Sequence, residues 1–139
     1  MIVSACLLGV RCTNEGGHNR SDAVVALGRD HHLVPVCPET IGGLPTPRVR
    51  AERRADGAVV TEEGVDVTDA YARGADHVVR LALAVGATRA VLKARSPSCG
   101  CGRVYDGTFT RTMVDGDGVT AAALRAAGLD VHTEEDTSR

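Results

Sequence analysis

Five cysteines, at positions 6, 12, 37, 99 and 101, are the residues of this chain best suited to chemistry. Three thiolates together can hold Zn²⁺ with a water in the fourth position, or three irons of a four-iron cluster with one iron left open. Spacing alone leaves both open. Compact C-x-x-C knuckles would favour zinc, but here only Cys99 and Cys101 are close, with a single Gly between them. That C-x-C also departs from the C-x-x-C of thioredoxin-like sites and counts against a dithiol redox protein. One cysteine alone is most often a small buried hydrophobe, so a site exists only if the fold gathers several.

The elements that must do the gathering read as strands alternating with helices. Ile2 to Leu8 is a short apolar run broken by Gly9, which predicts a buried strand and then a loop to Arg20. Ser21 can cap a helix from Asp22 to about Asp30, and Leu33 to Cys37 reads as a second strand that Pro35 restricts to an edge or an end. From Glu39 to Arg50, Pro45, Pro47 and Gly42-Gly43 predict an irregular loop lining a site. Asp56-Gly57 suggests a small hairpin with Val59 and Val60 on its second arm. Tyr71, Ala75, Val78, Val79, Ala82 and Val85 share one face of a long helix that starts at Asp66 or Thr68 and is closed by Gly86. Ala90 to Lys93 is a third strand, followed by turn residues through Gly100, and Tyr105 to Gly118 is a flap or hairpin. A last helix, Val119 to Ala127, and a last strand, Leu129 to His132, precede a frayed end at 134–139. This order predicts an α/β fold: a single domain over residues 1–139, Rossmann-like and three-layered, with a mainly parallel sheet.

Ligands of such sheets bind beyond the carboxyl ends of the strands. Cys6 and Cys37 end the first and second strands and Cys99 follows the third, so three thiols from distant parts of the chain are directed to one edge. Cys12 and Cys101 are left over, and either could replace a neighbour. Glu39, two residues after Cys37, could reach the same place as a proton shuttle or water-activating base; its bland alternative is to cap a turn or pair with Arg48. Ser96 could relay a proton or simply form a Ser-Pro turn. Arg48 could bind an anionic group or pair with Glu52. His18 and Asn19, in a Gly-rich loop, and Ser98, beside Cys99, are candidates for substrate contacts.

Composition narrows the partners. The aromatic content is 2%, with no Trp, and the net charge is −2. Few rings are available for stacking single strands and no broad basic surface attracts phosphate, so polymeric nucleic acid is not expected. The odd cysteine count and wide spacing fit a reducing compartment. Met1 leads straight into Ile2-Val3 without a basic n-region, and no apolar run approaches the roughly 18 residues of a membrane span. A cytoplasmic protein with no membrane partner, monomeric or homodimeric, is expected.

Several motifs occur in a particular order: Ser4-Ala5-Cys6-Leu7-Leu8-Gly9, then Val36-Cys37-Pro38-Glu39 with Gly42-Gly43-Leu44 and Thr46-Pro47-Arg48, then Lys93 with Ser96-Pro97-Ser98-Cys99-Gly100. With Tyr105-Asp106-Gly107-Thr108-Phe109 and Gly116-Asp117-Gly118-Val119-Thr120, they resemble the signature of the DUF523 family, which includes the thiouracil desulfidases. The resemblance runs over nearly the whole chain. It implies a [4Fe-4S] cluster held by Cys6, Cys37 and Cys99, and a small thiolated pyrimidine as substrate, desulfurated to uracil and sulfide without net redox change. It also raises Glu39 and Ser96 as catalytic residues. One segment departs: an Arg-Tyr-Asp-Gly-like run usually follows the position of Cys12, where this chain has Thr13-Asn14-Glu15-Gly16. A non-catalytic iron–sulfur or zinc carrier is the alternative, and it would need the thiolates only.

Overall fold

The computed structural model describes residues 1–137. Four short strands, β1 (Ile2–Ser4), β2 (Val34–Val36), β5 (Arg89–Leu92) and β8 (Asp130–Thr133), form a sheet in the order β2-β1-β5-β8. All its pairings are parallel. Pro35 lies in β2, at the sheet edge, where its missing N–H costs no ladder bond. Because β2 and β5 leave β1 on opposite sides, the strand order reverses at β1, and a crevice opens beyond its carboxyl end.

Alternation along the strands divides the core between the two sheet faces. Ile2, Ala90, Leu92 and Val131 pack against Val78 and Ala82 of α3 (Thr68–Ala84) and against Ala121 and Leu124 of α4 (Val119–Ala126). On the other face Val3 and Val91 meet Val24 of α1 (Asp22–Ala26) and Leu7 of a 3₁₀ turn, Ala5–Leu8. The result is the three-layered α/β arrangement expected from the sequence. Two antiparallel hairpins, β3-β4 (Ala51–Arg53, Val59–Thr61) and β6-β7 (Arg103–Tyr105, Met113–Asp115), stand outside the sheet.

Two expectations are corrected. The loop expected from Glu39 begins instead as a helical turn, α2 (Pro38–Ile41), with Pro38 in the first turn where its lost donor is not needed. The end expected to fray is ordered through α5 (Glu134–Thr137): Glu134 accepts the Ala94 N–H at 2.6 Å and pairs with Lys93 at 3.1 Å. Residues 138 and 139 of that segment lie outside the described residues.

The backbones of α2 and α3 touch through glycines. A Cβ on Gly74 would lie 2.0 Å from the Pro38 carbonyl oxygen, and one on Gly42 would lie 2.1 Å from that of Ala70. Gly74 sits inside α3, where Ala would otherwise gain roughly 1 kcal/mol of helix propensity. Gly74→Ala should nevertheless destabilise the protein by about 1–3 kcal/mol, because overpacking forces α2 off α3. Chemical denaturation of the two proteins checks this; a stabilised variant would mean that the helices part freely.

Candidate active site

Cys6 lies in the 3₁₀ turn after β1, Cys37 is the N-cap of α2 directly after β2, and Cys99 sits in the loop after β5. With Cys12 they line one cavity of about 370 Å³ at the strand ends. Cys6 and Cys12 are each 9% exposed and Cys99 is 5% exposed. Burial raises the Cys6 thiol above its ordinary range and pushes Cys12 and Cys99 up to about 12, so all three are neutral thiols unless a cation compensates them. Cys101 points elsewhere: its Sγ approaches the Val131 carbonyl at 3.4 Å and the Arg125 guanidinium at 2.7 Å, outside the cavity lining. It is no substitute for its neighbour.

Ser96 shapes the Cys99 loop. Its hydroxyl oxygen accepts the N–H groups of Ser98 at 3.1 Å and Cys99 at 3.0 Å, while its own proton stays available on the cavity lining. Ser98 departs from expectation. It is fully buried with its hydroxyl 2.8 Å from that of Thr120 on α4, and it does not line the cavity. The one-residue step from Ser98 to Cys99 turns the two side chains to different sides of the loop.

Glu39 enters the cavity from α2 and makes an ion pair with Arg48, Oε2 to Nε, at 2.7 Å. Glu39 and Arg48 side chains are only 15% and 7% exposed, so solvent screens the pair little. Burial disfavours the guanidinium charge, yet the adjacent Glu39 carboxylate overcomes this and leaves Arg48 more firmly protonated than usual. The rest of that guanidinium donates to the carbonyls of Pro45 at 3.3 Å and Cys12 at 2.8 Å and to the Thr46 hydroxyl at 3.1 Å. Arg48 therefore positions Glu39 and binds three loop segments together. The expected alternative, pairing with Glu52, does not occur: Glu52 pairs with Arg50 at 3.2 Å.

Tyr71 was legible in the sequence only as part of the apolar face of α3. It is 2% exposed and lines the cavity with Glu39. Burial, and then the Glu39 carboxylate, hold its phenol protonated far above the ordinary range. The available signal was its hydroxyl, because a Tyr among aliphatic face positions must find a polar partner when buried.

Other expected residues are placed unequally. Asn19 lines the cavity and its backbone N–H donates to the Cys6 carbonyl at 3.0 Å. His18 is exposed, accepts the Arg20 N–H at 3.1 Å and does not line the cavity. Its loop directs the imidazole to solvent, so the geometry gives it no substrate contact. Lys93, at the end of β5, lines the cavity and is held by Glu134. Buried Glu52 joins the two hairpins, accepting the N–H groups of Gly107 at 3.0 Å and Phe109 at 3.1 Å. Thr13 and Asn14, from the segment that departs from the family motif, also line the cavity.

The donor set can be tested against the implied cluster. A single zinc with Zn–S bonds of about 2.3 Å draws its sulfurs to within about 4 Å of one another. Among the described residues no three His, Cys, Asp or Glu side chains converge on a one-ion site. The cavity nevertheless presents thiols from three separate strand ends. Soft ligands spread around a roomy cavity fit a multi-iron cluster better than one ion.

Comparisons with known proteins identify the family. The profile of a family described as 2-thiouracil desulfurase matches residues 1–136. The uncharacterised protein YbbK of Bacillus subtilis strain 168 is 38% identical over 145 residues, covering 98% of this chain and 96% of its own. A solved structure described as the [4Fe-4S]-dependent thiouracil desulfidase TudS (DUF523Vcz) superposes with a TM-score of 0.91 at 46% identity, covering 98% of this chain and 91% of the other. This chain belongs to the 2-thiouracil desulfurase family.

Proposed function

We propose that this protein is a [4Fe-4S]-dependent desulfidase that converts thiouracil, or a related thiolated pyrimidine base or nucleotide, to the oxo compound and sulfide. Cys6, Cys37 and Cys99 would hold the cluster. When bound, such a cluster supplies an iron without a protein ligand, a soft site for a thiocarbonyl sulfur. The reaction exchanges C=S for C=O with one water and needs no oxidant or reductant.

The chain's own residues supply the rest. Glu39, held by Arg48, takes a proton from the water that attacks the ring carbon. The Ser96 hydroxyl, already accepting two backbone N–H groups, keeps its proton to donate to a polar atom of the ring. The Lys93 ammonium places positive charge beside the departing sulfur. Glu39, Arg48 and Tyr71 line the cavity with side chains largely withdrawn from solvent.

One observation carries the reading: a carboxylate fixed by Arg48 shares a cavity with thiols from three strand ends. A carrier would have no use for the Glu39, Arg48 and Tyr71 group. Among the described residues no helix is long and apolar enough to cross a membrane, and five free cysteines suit a reducing cytoplasm. Anaerobic reconstitution with iron and sulfide, followed by 2-thiouracil, should give a brown protein that releases uracil and sulfide in equal amounts. A colourless protein binding only zinc would refute the proposal, and a brown one releasing neither product would favour the carrier.

A further inference from the structure

One thiol assigned above as a ligand, that of Cys37, has a side-chain hydroxyl directed at it. Thr40 donates its hydroxyl to Cys37 Sγ at 3.2 Å. It stands three residues after Cys37, which is the N-cap of α2, so the hydroxyl reaches back across the first turn as in a capping box, with sulfur as the acceptor. Ser4, 2% exposed at the end of β1, accepts the Lys93 N–H at 2.9 Å and lines the cavity beside the thiols. Asn19 is anchored to the Cys6 carbonyl by its backbone N–H.

We infer that Thr40 is a positioning residue that tunes the cluster by donating a hydrogen bond to Cys37. This rests on the ligand assignment of the proposed function. The hydroxyl orients the Cys37 sulfur. It also withdraws electron density from the Fe–S bond, and hydrogen bonds to sulfur are among the levers that set cluster reduction potential. More donation moves the potential upward. Oxidation then becomes harder, which protects a cluster whose open iron must face substrate and solvent in a reaction that asks for no electron.

Thr40 gives the cleanest test because it is exposed and Val preserves its shape. Thr40→Val, Thr40→Ser and wild type would be reconstituted anaerobically, matched for iron content and titrated electrochemically with EPR detection. Thr40→Val should have a midpoint potential more negative than wild type, and its cluster should bleach several-fold faster in air. Thr40→Ser should restore both values. Equal potentials and bleaching rates for Thr40→Val and wild type at equal iron would overturn the inference while leaving the proposed function intact. Wild-type protein that takes up no cluster would overturn both.

Discussion

Serine in place of Cys37 or Cys99 should give a folded protein that reconstitutes with far less iron than wild type and loses desulfidase activity. Serine is nearly isosteric, but its hydroxyl is a harder and less acidic ligand that poorly replaces a thiolate on an iron–sulfur cluster. Removing partners that merely orient a metal ligand already costs about 10–100-fold, so loss of a ligand itself should exceed the upper end of that range. Cys101→Ser supplies the contrast, because Cys101 lies outside the cavity against Arg125 and Val131. It should retain wild-type iron and turnover. Cys12→Ser decides the count: Cys12 shares the cavity and is hydrogen-bonded to Cys37. If three ligands suffice, that variant keeps its colour. Loss of colour in Cys12→Ser together with its retention in Cys99→Ser would assign the ligands differently. Iron analysis and visible spectra of the anaerobic proteins read all four cases.

The second large effect is expected at Glu39. Glu39→Gln should keep the cluster and lose turnover by about 10²–10⁴-fold, the usual contribution of a positioned acid–base group. Glutamine preserves the size of the side chain and a carbonyl acceptor for Arg48, so the cavity should keep its shape. It cannot take a proton from water. The same substitution leaves the Arg48 charge without its counterion in a site where that side chain is 7% exposed. Removing one partner of a fully buried pair costs about 3–5 kcal/mol; the retained amide acceptor and the other three acceptors of Arg48 should hold the loss below that range. A lower melting temperature with a normal visible spectrum is therefore expected. Turnover is to be compared per bound cluster, and wild-type turnover in Glu39→Gln would remove Glu39 from the reaction.

Arg48 shows where sequence reasoning stopped. Its charge and its Pro-rich surroundings were plain, and pairing with Glu39 was one of the options its type allowed. Choosing Glu39 over Glu52 depends on α2, a single turn that the glycines and prolines around it disguised as loop. Once α2 forms, its contact with α3 through Gly42 and Gly74 brings Glu39 to Tyr71. No local pattern encodes that meeting, because α2 and α3 touch through residues far apart in sequence. The ordered end is a similar case: Glu134 and Glu135 read as part of a frayed end until Lys93 and Arg95, some 40 residues earlier, are seen to pair with them.

Local information was enough for the sheet, the long helix α3, the hairpin at Asp56-Gly57 and the gathering of Cys6, Cys37 and Cys99. Hydrophobic period, caps and the rule for strand carboxyl ends operate over a few residues or follow from element order alone. The ordered family motifs added the cluster and the reaction. Which side each loop residue faces was decided only in three dimensions. Ser98 and Cys99 are adjacent in sequence, yet one hydroxyl is buried on Thr120 and the other side chain lines the cavity. Cys12 and Cys101 looked equivalent as spare thiols, and packing put the first inside the cavity and the second against Arg125. Side-chain direction in an irregular loop follows from hydrogen bonds and packing to distant segments, and those partners are fixed only when the chain has folded.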